Sequence, residues 1–201
     1  MFPLGSVLFP HAVLPLHVFE PRYRALSARC LETDREFGVV LIERGSEVGG
    51  GDVRFEVGTV ARIVQAGKFP DGRYALVAVG TTRLRVQRWL PDDPYPQAEV
   101  TVVATEAALD PDVGSRRERL VGTLRRVAGL RAELAEPGPT IDVELDDDAV
   151  RAGFEAAALT GFGALDAQRL LELDDPGERL DRIAALLDDE TELLELRLRG
   201  S

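Results

Sequence analysis

Two histidines and a nearby glutamate have the residue types and spacing that could bind a metal ion. His17 and Glu20 are separated by two residues, and His11 lies six positions before His17. Imidazole and carboxylate groups are zinc ligands, but a catalytic zinc site uses three protein ligands fixed on rigid elements. Pro15 and Pro21 flank the pair at a predicted corner between a strand and a helix. We therefore predict neither metal nor cofactor, and interpret His17 as a partly buried strand residue that hydrogen-bonds a backbone carbonyl.

Other potentially reactive groups lack the neighbouring residues that catalysis or metal binding needs. Cys30 is the single cysteine; a nucleophilic thiolate requires a base and an exposed, electropositive setting, so we predict that Cys30 packs as a small hydrophobe. The acidic runs 146–148 and 188–190 lack the alternating ligands and central glycine of a calcium loop. The glycine-rich segment 45–52 lacks the Gly-Lys-Ser/Thr ending of a nucleotide loop. We predict that the protein is not an enzyme.

A short stripe of arginines beside a tryptophan suggests nucleic-acid binding as one alternative. Arg83 and Arg85 share one side of a predicted strand, and Arg88 and Trp89 follow. Cations next to an aromatic platform are typical of proteins that bind single-stranded nucleic acid. The formal net charge of −11 opposes this function, because binding to phosphates depends on an excess of Lys and Arg. RNA binding is therefore our third option.

Aromatic residues near predicted turns favour the binding of extended polypeptide. Such binding needs an exposed apolar groove with a polar rim, or an open sheet edge. Each aromatic side chain has core packing as its alternative role. Our candidate binding residues are Phe9, Phe69, Tyr74, Arg83, Arg85, Trp89 and Tyr95.

Charge divides the chain into two parts. Residues 1–103 carry 12 acidic and 12 basic side chains, whereas residues 104–201 carry 23 acidic and 12 basic ones. The break lies near Asp110-Pro111-Asp112, and we predict domains at 1–108 and 109–201.

One cysteine excludes an internal disulfide framework. No apolar run approaches the ~20 residues of a membrane span, and the first residues lack the positive region of a signal peptide, so we expect a cytoplasmic protein.

The first part has the pattern of a β-rich fold with one helix. A helix is predicted from Pro21, with Tyr23, Leu26 and Cys30 on its apolar face. Pro70-Asp71-Gly72 predicts a hairpin turn, and we expect Gly80 to end the second arm. Together the strands predict a closed or nearly closed antiparallel meander. The predicted strands are 13–18 (an edge strand, because Pro15 breaks it), 37–42, 57–65, 73–79, 83–87 and 98–104.

The second part has helical periodicity and predicts a four-helix bundle. Ser115, Asp146–Asp148, Asp166 and Asp175 are the predicted N-terminal caps. Pro137-Gly138-Pro139 breaks the first helix, and the second ends near Gly161. In the last helix, Glu178 completes a capping-box arrangement with Asp175, and Gly200 is expected beyond the helix end. The buried stripe of that helix is Leu180, Ile183, Leu187, Leu194 and Leu198.

An ordered set of motifs resembles the N-terminal, substrate-binding domain of Lon proteases, and more closely the stand-alone bacterial proteins made of that domain. The resemblance implies an α+β fold, with an N-terminal β-rich, PUA-like pseudo-barrel that carries one helix, followed by a C-terminal helical bundle. Lys68 lies beside a hairpin tip and matches no peptidase motif, and no ATPase loop is found. The motifs are Phe2–Pro10, Leu14–Tyr23, Val57–Ile63, Pro70–Tyr74, Gly80 with Arg83, Leu170–Leu173 and Glu178–Leu180.

The resemblance implies a non-catalytic module that binds unfolded or extended polypeptides. We expect a substrate receptor or adaptor in protein quality control, with a protease or chaperone as a further partner and no membrane partner. The alternative is a small-ligand-binding protein or an enzyme that uses a pocket of the β-rich half. The sequence leaves the oligomeric state open.

Overall fold

The computed structural model describes residues 1–45, 51–104, 112–138 and 142–200. Internal contacts divide the chain into two compact units, Met1–Ala104 and Thr105–Ser201. The predicted boundary between residues 108 and 109, most of the glycine-rich segment and Pro139 lie outside the described residues.

The first unit is a six-stranded mixed sheet with one helix. Strand β1 pairs with β3 in parallel, and the remaining pairs are antiparallel. The strand order is β1-β3-β4-β5, and β2 and β6 both pair with β5. The four antiparallel pairs agree with the predicted meander, whereas the parallel β1–β3 pair departs from it. The connection through β2 and the helix brings β3 back parallel to β1. The elements are β1 (Phe2–Leu4), β2 (Val13–Val18), α1 (Pro21–Glu32), β3 (Glu36–Arg44), β4 (Val53–Lys68), β5 (Tyr74–Leu90) and β6 (Gln97–Val103).

Gly80 lies inside β5 and does not end it, which corrects our expectation. Its N–H donates to the Ala12 carbonyl at 2.9 Å, and its carbonyl accepts from the His11 N–H at 2.8 Å. A Cβ at this position would overlap the Phe9 carbonyl oxygen. The glycine is therefore explained by the close approach of another chain segment, which a sequence pattern cannot distinguish from a strand end.

The turn between β4 and β5 has the predicted chemistry. Gly72 has φ +84° and donates its N–H to the Phe69 carbonyl at 2.9 Å. The Asp71 carboxylate accepts from the Arg73 N–H at 3.1 Å. The turn also lies against α1, because a Cβ on Gly72 would overlap the Arg24 guanidinium.

Replacing Gly72 by alanine should lower the free energy of unfolding by about 1–2 kcal/mol. The cost arises from the left-handed backbone conformation, which a residue with a Cβ adopts unfavourably. Gly67→Ala is the matched control, because a Cβ there meets only the Ala75 carbonyl oxygen at 3.9 Å. Urea unfolding of both variants measures the difference, and equal midpoints would contradict the prediction.

The core of the first unit packs α1 against the strands. Tyr23, Leu26 and Cys30 are buried, which confirms the predicted apolar face. The rings of Phe2 and Tyr23 stack at 4.1 Å. The Cys30 thiol donates to the Glu36 carbonyl at 3.1 Å, and burial raises its pKa. Cys30 is thus a buried packing residue, as predicted.

The second unit consists of four helices among its described residues. Two caps and one helix end match the prediction. Asp148 accepts from the Arg151 N–H at 2.9 Å, Asp175 accepts from the Glu178 N–H at 2.7 Å, and Gly161 follows its helix with φ +65°. Leu180, Ile183, Leu187 and Leu194 are buried, as predicted, while Leu198 is half-buried. The helices are α2 (Val113–Glu133), α3 (Ala149–Thr160), α4 (Ala164–Glu172) and α5 (Pro176–Gly200).

Two predicted caps and one helix end were wrong. Ser115 lies inside α2, whose N-cap is Asp112. Asp166 lies in the first turn of α4, where its charge still favours the helix N-terminus, and Gly163 is the N-cap. Gly200 is the last residue of α5 and not a residue beyond it. No helix within the described ranges combines the length and the apolar content needed to cross a bilayer.

Candidate functional site

The predicted binding residues do not share one surface. Phe9, Tyr74 and Arg83 are buried, with 4%, 6% and 2% of their surface exposed. These side chains contribute to the interior and are not presented to a partner. Of the others, Phe69 and Arg85 are exposed, while Trp89 and Tyr95 are half-buried.

Trp89 belongs to a cluster that sequence reasoning missed. The Arg54 guanidinium stacks on the Trp89 ring, 4.5 Å from its centroid, and pairs with Asp52. Burial opposes ionisation of Asp52, but hydrogen bonds from Arg54 outweigh it and hold the pKa of Asp52 below its usual value. Asp52 and Arg54 are two residues apart and far from Trp89 in sequence, so no local spacing indicated the contact. The cluster fixes the tryptophan as part of the fold.

The amine of Met1 lies near the same cluster. It donates to the Pro96 carbonyl at 2.7 Å. Burial is the main cause that lowers its pKa from 8.0 to about 6, and the positive charge of Arg54 acts in the same direction. The folded state therefore favours the neutral amine at pH 7.

This amine should make the protein less stable as the pH falls from about 8 to about 6. In that window the unfolded chain binds the proton and the folded chain does not, so acidification favours unfolding. We expect the Tm of the chain with a free Met1 amine to drop by a few degrees over this range. A chain with a Gly-Ser extension before Met1 is the control. The same pH slope in both chains would contradict the assignment.

The arginine stripe is divided between the interior and the surface of the first unit. Arg83 is buried, and Arg88 pairs with Glu99 at 2.5 Å. Only part of the stripe is thus presented to solvent, which weakens the observation that favoured RNA binding.

A surface cavity of about 190 Å³ lies where the two ends of the sheet approach each other. Strand β1 pairs only with β3, and β2 only with β5, so both are edge strands among the described residues. Both strands nevertheless line this one cavity, together with the start of α1. The sheet therefore curves almost into closure at this seam. The lining residues are Phe2, Leu4, Pro15–Glu20 and Tyr23.

The side chains of β2 alternate between the core and solvent, and residues from both faces of the strand line the cavity. Leu14, Leu16 and Val18 point toward the core, whereas Val13, Pro15 and His17 are exposed. His17 is thus exposed and not partly buried as predicted, because it lies on the outer face of the strand.

The start of α1 completes the wall and the rim of the cavity. Pro21 takes the first helical position, where its missing N–H costs nothing. This start places Tyr23 against Phe2, and Phe19, which also lines the cavity, is 56% accessible. Arg22 and Glu20 form an ion pair of 3.1 Å. The site is an apolar cavity with an exposed aromatic residue and a neutralised pair at its rim.

The chemistry of this cavity fits one apolar side chain better than a metabolite. Small-molecule pockets usually exceed about 300 Å³, whereas a cavity of about 150 Å³ holds a single benzene ring. Burial raises the pKa of Tyr23 to about 12, so its hydroxyl stays protonated at neutral pH. Across the described parts of the chain, no three His, Cys, Asp or Glu side chains come close enough to hold a metal ion.

Prolines protect both edges of the seam from strand addition. Pro3 is the central residue of β1, and Pro15 lies within β2. Proline donates no hydrogen bond to a neighbouring strand, and its place on an edge limits pairing with another chain. The backbone edges at the seam are therefore unfavourable for strand addition.

A larger cavity of about 730 Å³ lies in the second unit, between α2 and residues 143–147. Its arginines already hold that segment: Arg117 donates to the Leu145 carbonyl at 3.1 Å, and Arg125 to the Val143 carbonyl at 3.0 Å. These groups have a structural role, so we place the candidate site at the seam despite its smaller volume.

Comparison with known proteins agrees with this fold. Residues 1–189 match the family model described as the ATP-dependent protease La (LON) substrate-binding domain. The chain is 32% identical to Lon protease 2 of Myxococcus xanthus over 197 residues, which is 96% of this chain and 23% of that protein. It is 27% identical to Lon protease 2 of Herpetosiphon aurantiacus over 195 residues, again 96% of this chain and 24% of that protein. The chain thus spans about a quarter of these relatives.

Solved structures give the same result. The crystal structure of a Lon N-terminal domain protein from Xanthomonas campestris has a TM-score of 0.68 and 33% identity, over 92% of this chain and 95% of that one. The N-terminal domain of the Mycobacterium avium complex Lon protease shares the fold, with a TM-score of 0.66 at 19% identity over 93% of this chain and 97% of that one. The chain therefore belongs to the LON substrate-binding domain family, with the α+β fold that its sequence predicted.

Proposed function

We propose that this chain is a non-catalytic substrate-recognition module that binds an extended or unfolded polypeptide. One large apolar side chain of the polypeptide enters the cavity between β1 and β2. The observation that carries the proposal is this apolar cavity, lined by two proline-bearing edge strands and flanked by the exposed Phe19. Membership of a substrate-binding family supports the same assignment.

The site selects unfolded over folded partners for a simple reason. Folded proteins bury their large apolar side chains, whereas an unfolded chain presents them. The polypeptide must become ordered when it binds, so the affinity is weak, with a Kd of roughly micromolar or poorer. Weak capture of unfolded chains suits a receptor or adaptor in protein quality control that passes its substrate to a protease or chaperone.

The residues around the cavity support a binding role without catalysis. Glu20 is engaged by Arg22, and Tyr23 keeps its proton at neutral pH because burial raises its pKa to about 12. A general base needs a free acceptor close to its proton donor. The Glu20–Arg22 pair thus adds no net charge at the rim of the apolar cavity.

The test uses one probe protein, α-lactalbumin, in an unfolded and a native state. Fluorescently labelled, reduced and alkylated α-lactalbumin should bind the chain, and its native, disulfide-bonded form should not. Phe19→Ser should weaken binding to the unfolded form, whereas Val64→Ser, at a valine that is equally exposed at 56%, should not. Equal binding of the two states, or no binding of either, would overturn the proposed function.

A further inference from the structure

Strand β6 is an edge strand that lacks the protection of the others. Among the described strands it pairs only with β5. The edges β1 and β2 carry prolines, and the free outer part of β4 contains a bulge at residue 64 and Lys68, which are both devices that discourage pairing. The sequence of β6, Gln-Ala-Glu-Val-Thr-Val-Val, contains no proline and no lysine.

Both faces of β6 are exposed to solvent. Val100 and Val102 lie on one face, with 39% and 63% of their surface accessible. Glu99 and Thr101 lie on the other face and are exposed as well. An apolar edge strand of high β-propensity that is open on both faces is a template for pairing with another chain.

We infer that β6 pairs antiparallel with β6 of a second copy of this chain, about a two-fold axis at Thr101. In that register Thr101 faces its own counterpart, and Val100 of each copy faces Val102 of the other. Threonine–threonine and valine–valine pairs across antiparallel strands are stabilising. The four valines form one apolar row, and the two sheets become continuous.

The distribution of charge is compatible with a second copy as the occupant. In this register Glu99 faces Val103, so the two glutamates do not oppose each other. Each Glu99 is moreover neutralised within its own chain by Arg88, at 2.5 Å. Residues 1–103 carry equal numbers of acidic and basic side chains, and the excess acid lies in residues 104–201. The surface that meets its copy is therefore the neutral part of an acidic protein.

A seven-residue edge strand buries less than the roughly 1,000 Å² expected of a stable interface. The dimer should therefore be weak and in concentration-dependent exchange. It does not use the cavity at the seam, so its existence is independent of the proposed function.

Two measurements on the full chain test the pairing. In sedimentation equilibrium, the weight-average mass should rise with concentration toward that of a dimer, and Val102→Lys should abolish the rise. Val13→Lys is the control, because Val13 is equally exposed (64%) on the proline-bearing edge. Thr101→Cys should form a disulfide-linked dimer on mild oxidation, whereas Val13→Cys should not. Native Cys30 is buried.

Three results would overturn the inference. The first is a monomeric wild type at every concentration together with no crosslink of Thr101→Cys above that of Val13→Cys. The second is self-association that Val102→Lys leaves unchanged, which would place the contact elsewhere. The third is protection of β6 by unfolded α-lactalbumin in a monomeric protein, which would make a client strand the occupant.

Discussion

Leu16→Phe is expected to weaken the binding of unfolded polypeptide by about tenfold to a hundredfold while the fold persists. Leu16 lines the cavity at the seam and packs against the core of the first unit. The added ring fills space that the partner's side chain would occupy. Burial of one large apolar side chain contributes about 1.5–3 kcal/mol, and each 1.4 kcal/mol changes an equilibrium tenfold.

The matched control for this variant is Leu14→Phe. Leu14 lies on the same face of β2 and packs against the same core cluster, but it is not among the residues that line the cavity. We expect Leu14→Phe to cost about 1–3 kcal/mol through overpacking and to leave the Kd unchanged. Anisotropy with labelled, unfolded α-lactalbumin measures the Kd of both, and urea unfolding their stability. Loss of binding in Leu14→Phe alone would remove the seam from the mechanism.

Sequence periodicity predicted one wall of this cavity and missed the other. Pro15 marked β2 as an edge strand, and Pro21 marked the start of α1, because both residues act through local backbone chemistry. Strand β1 has only three residues, too short for an alternation to be recognised. Its place opposite β2 depends on pairing with Val39–Leu41, which no local pattern indicates. The cavity exists only where both edges meet.

The candidate aromatic residues illustrate the same limit. Phe9 and Tyr74 are adjacent to predicted turns, yet both are buried, since the segment at Phe9 crosses Gly80 and Tyr74 pairs with Val18. Phe19 is 56% exposed at a helix start that the sequence located, but nothing in its spacing distinguished it from a core residue. Turn chemistry predicts backbone direction well and side-chain exposure poorly.

Helix caps were predictable where the side chain itself makes the bond. Asp148 and Asp175 do so. Gly163 is a cap without a side chain, so the nearby Asp166 was mistaken for it.

Arg179 is a buried residue that the helical pattern of the second unit did not predict. It precedes Leu180 on the buried stripe of α5 and, like Ile183 four residues later, is 0% exposed. A charged residue at that position would ordinarily be assigned to the solvent face. Its guanidinium stacks on Phe154 of α3 at 4.1 Å, and its stem contacts Gly153, where a Cβ would lie 3.2 Å from the Arg179 Cδ. One side chain therefore contacts α3 from within α5.

The same guanidinium donates hydrogen bonds to carbonyls at the C-terminal end of α4. Its Nε donates to the Leu170 carbonyl at 3.0 Å, and Nη2 donates to the Leu173 carbonyl. These carbonyls lie at the C-terminal end of a helix, where backbone acceptors lack partners within the helix. Arg179 thus satisfies the end of α4 and packs against α3, so its removal affects three helices at once.

Arg179→Ala should lower the free energy of unfolding of the second unit by about 4 kcal/mol. The loss combines a cavity beside Phe154 with buried carbonyls that lose their donors. Arg182→Ala, which removes an exposed arginine from the same helix, should change stability by less than about 0.5 kcal/mol. Arg179→Lys should fall between them, because it keeps the stem and the charge but not the planar fork that reaches both carbonyls. Urea unfolding followed by helical circular dichroism measures all three, and equal midpoints for Arg179→Ala and Arg182→Ala would show that α3, α4 and α5 hold together without this residue.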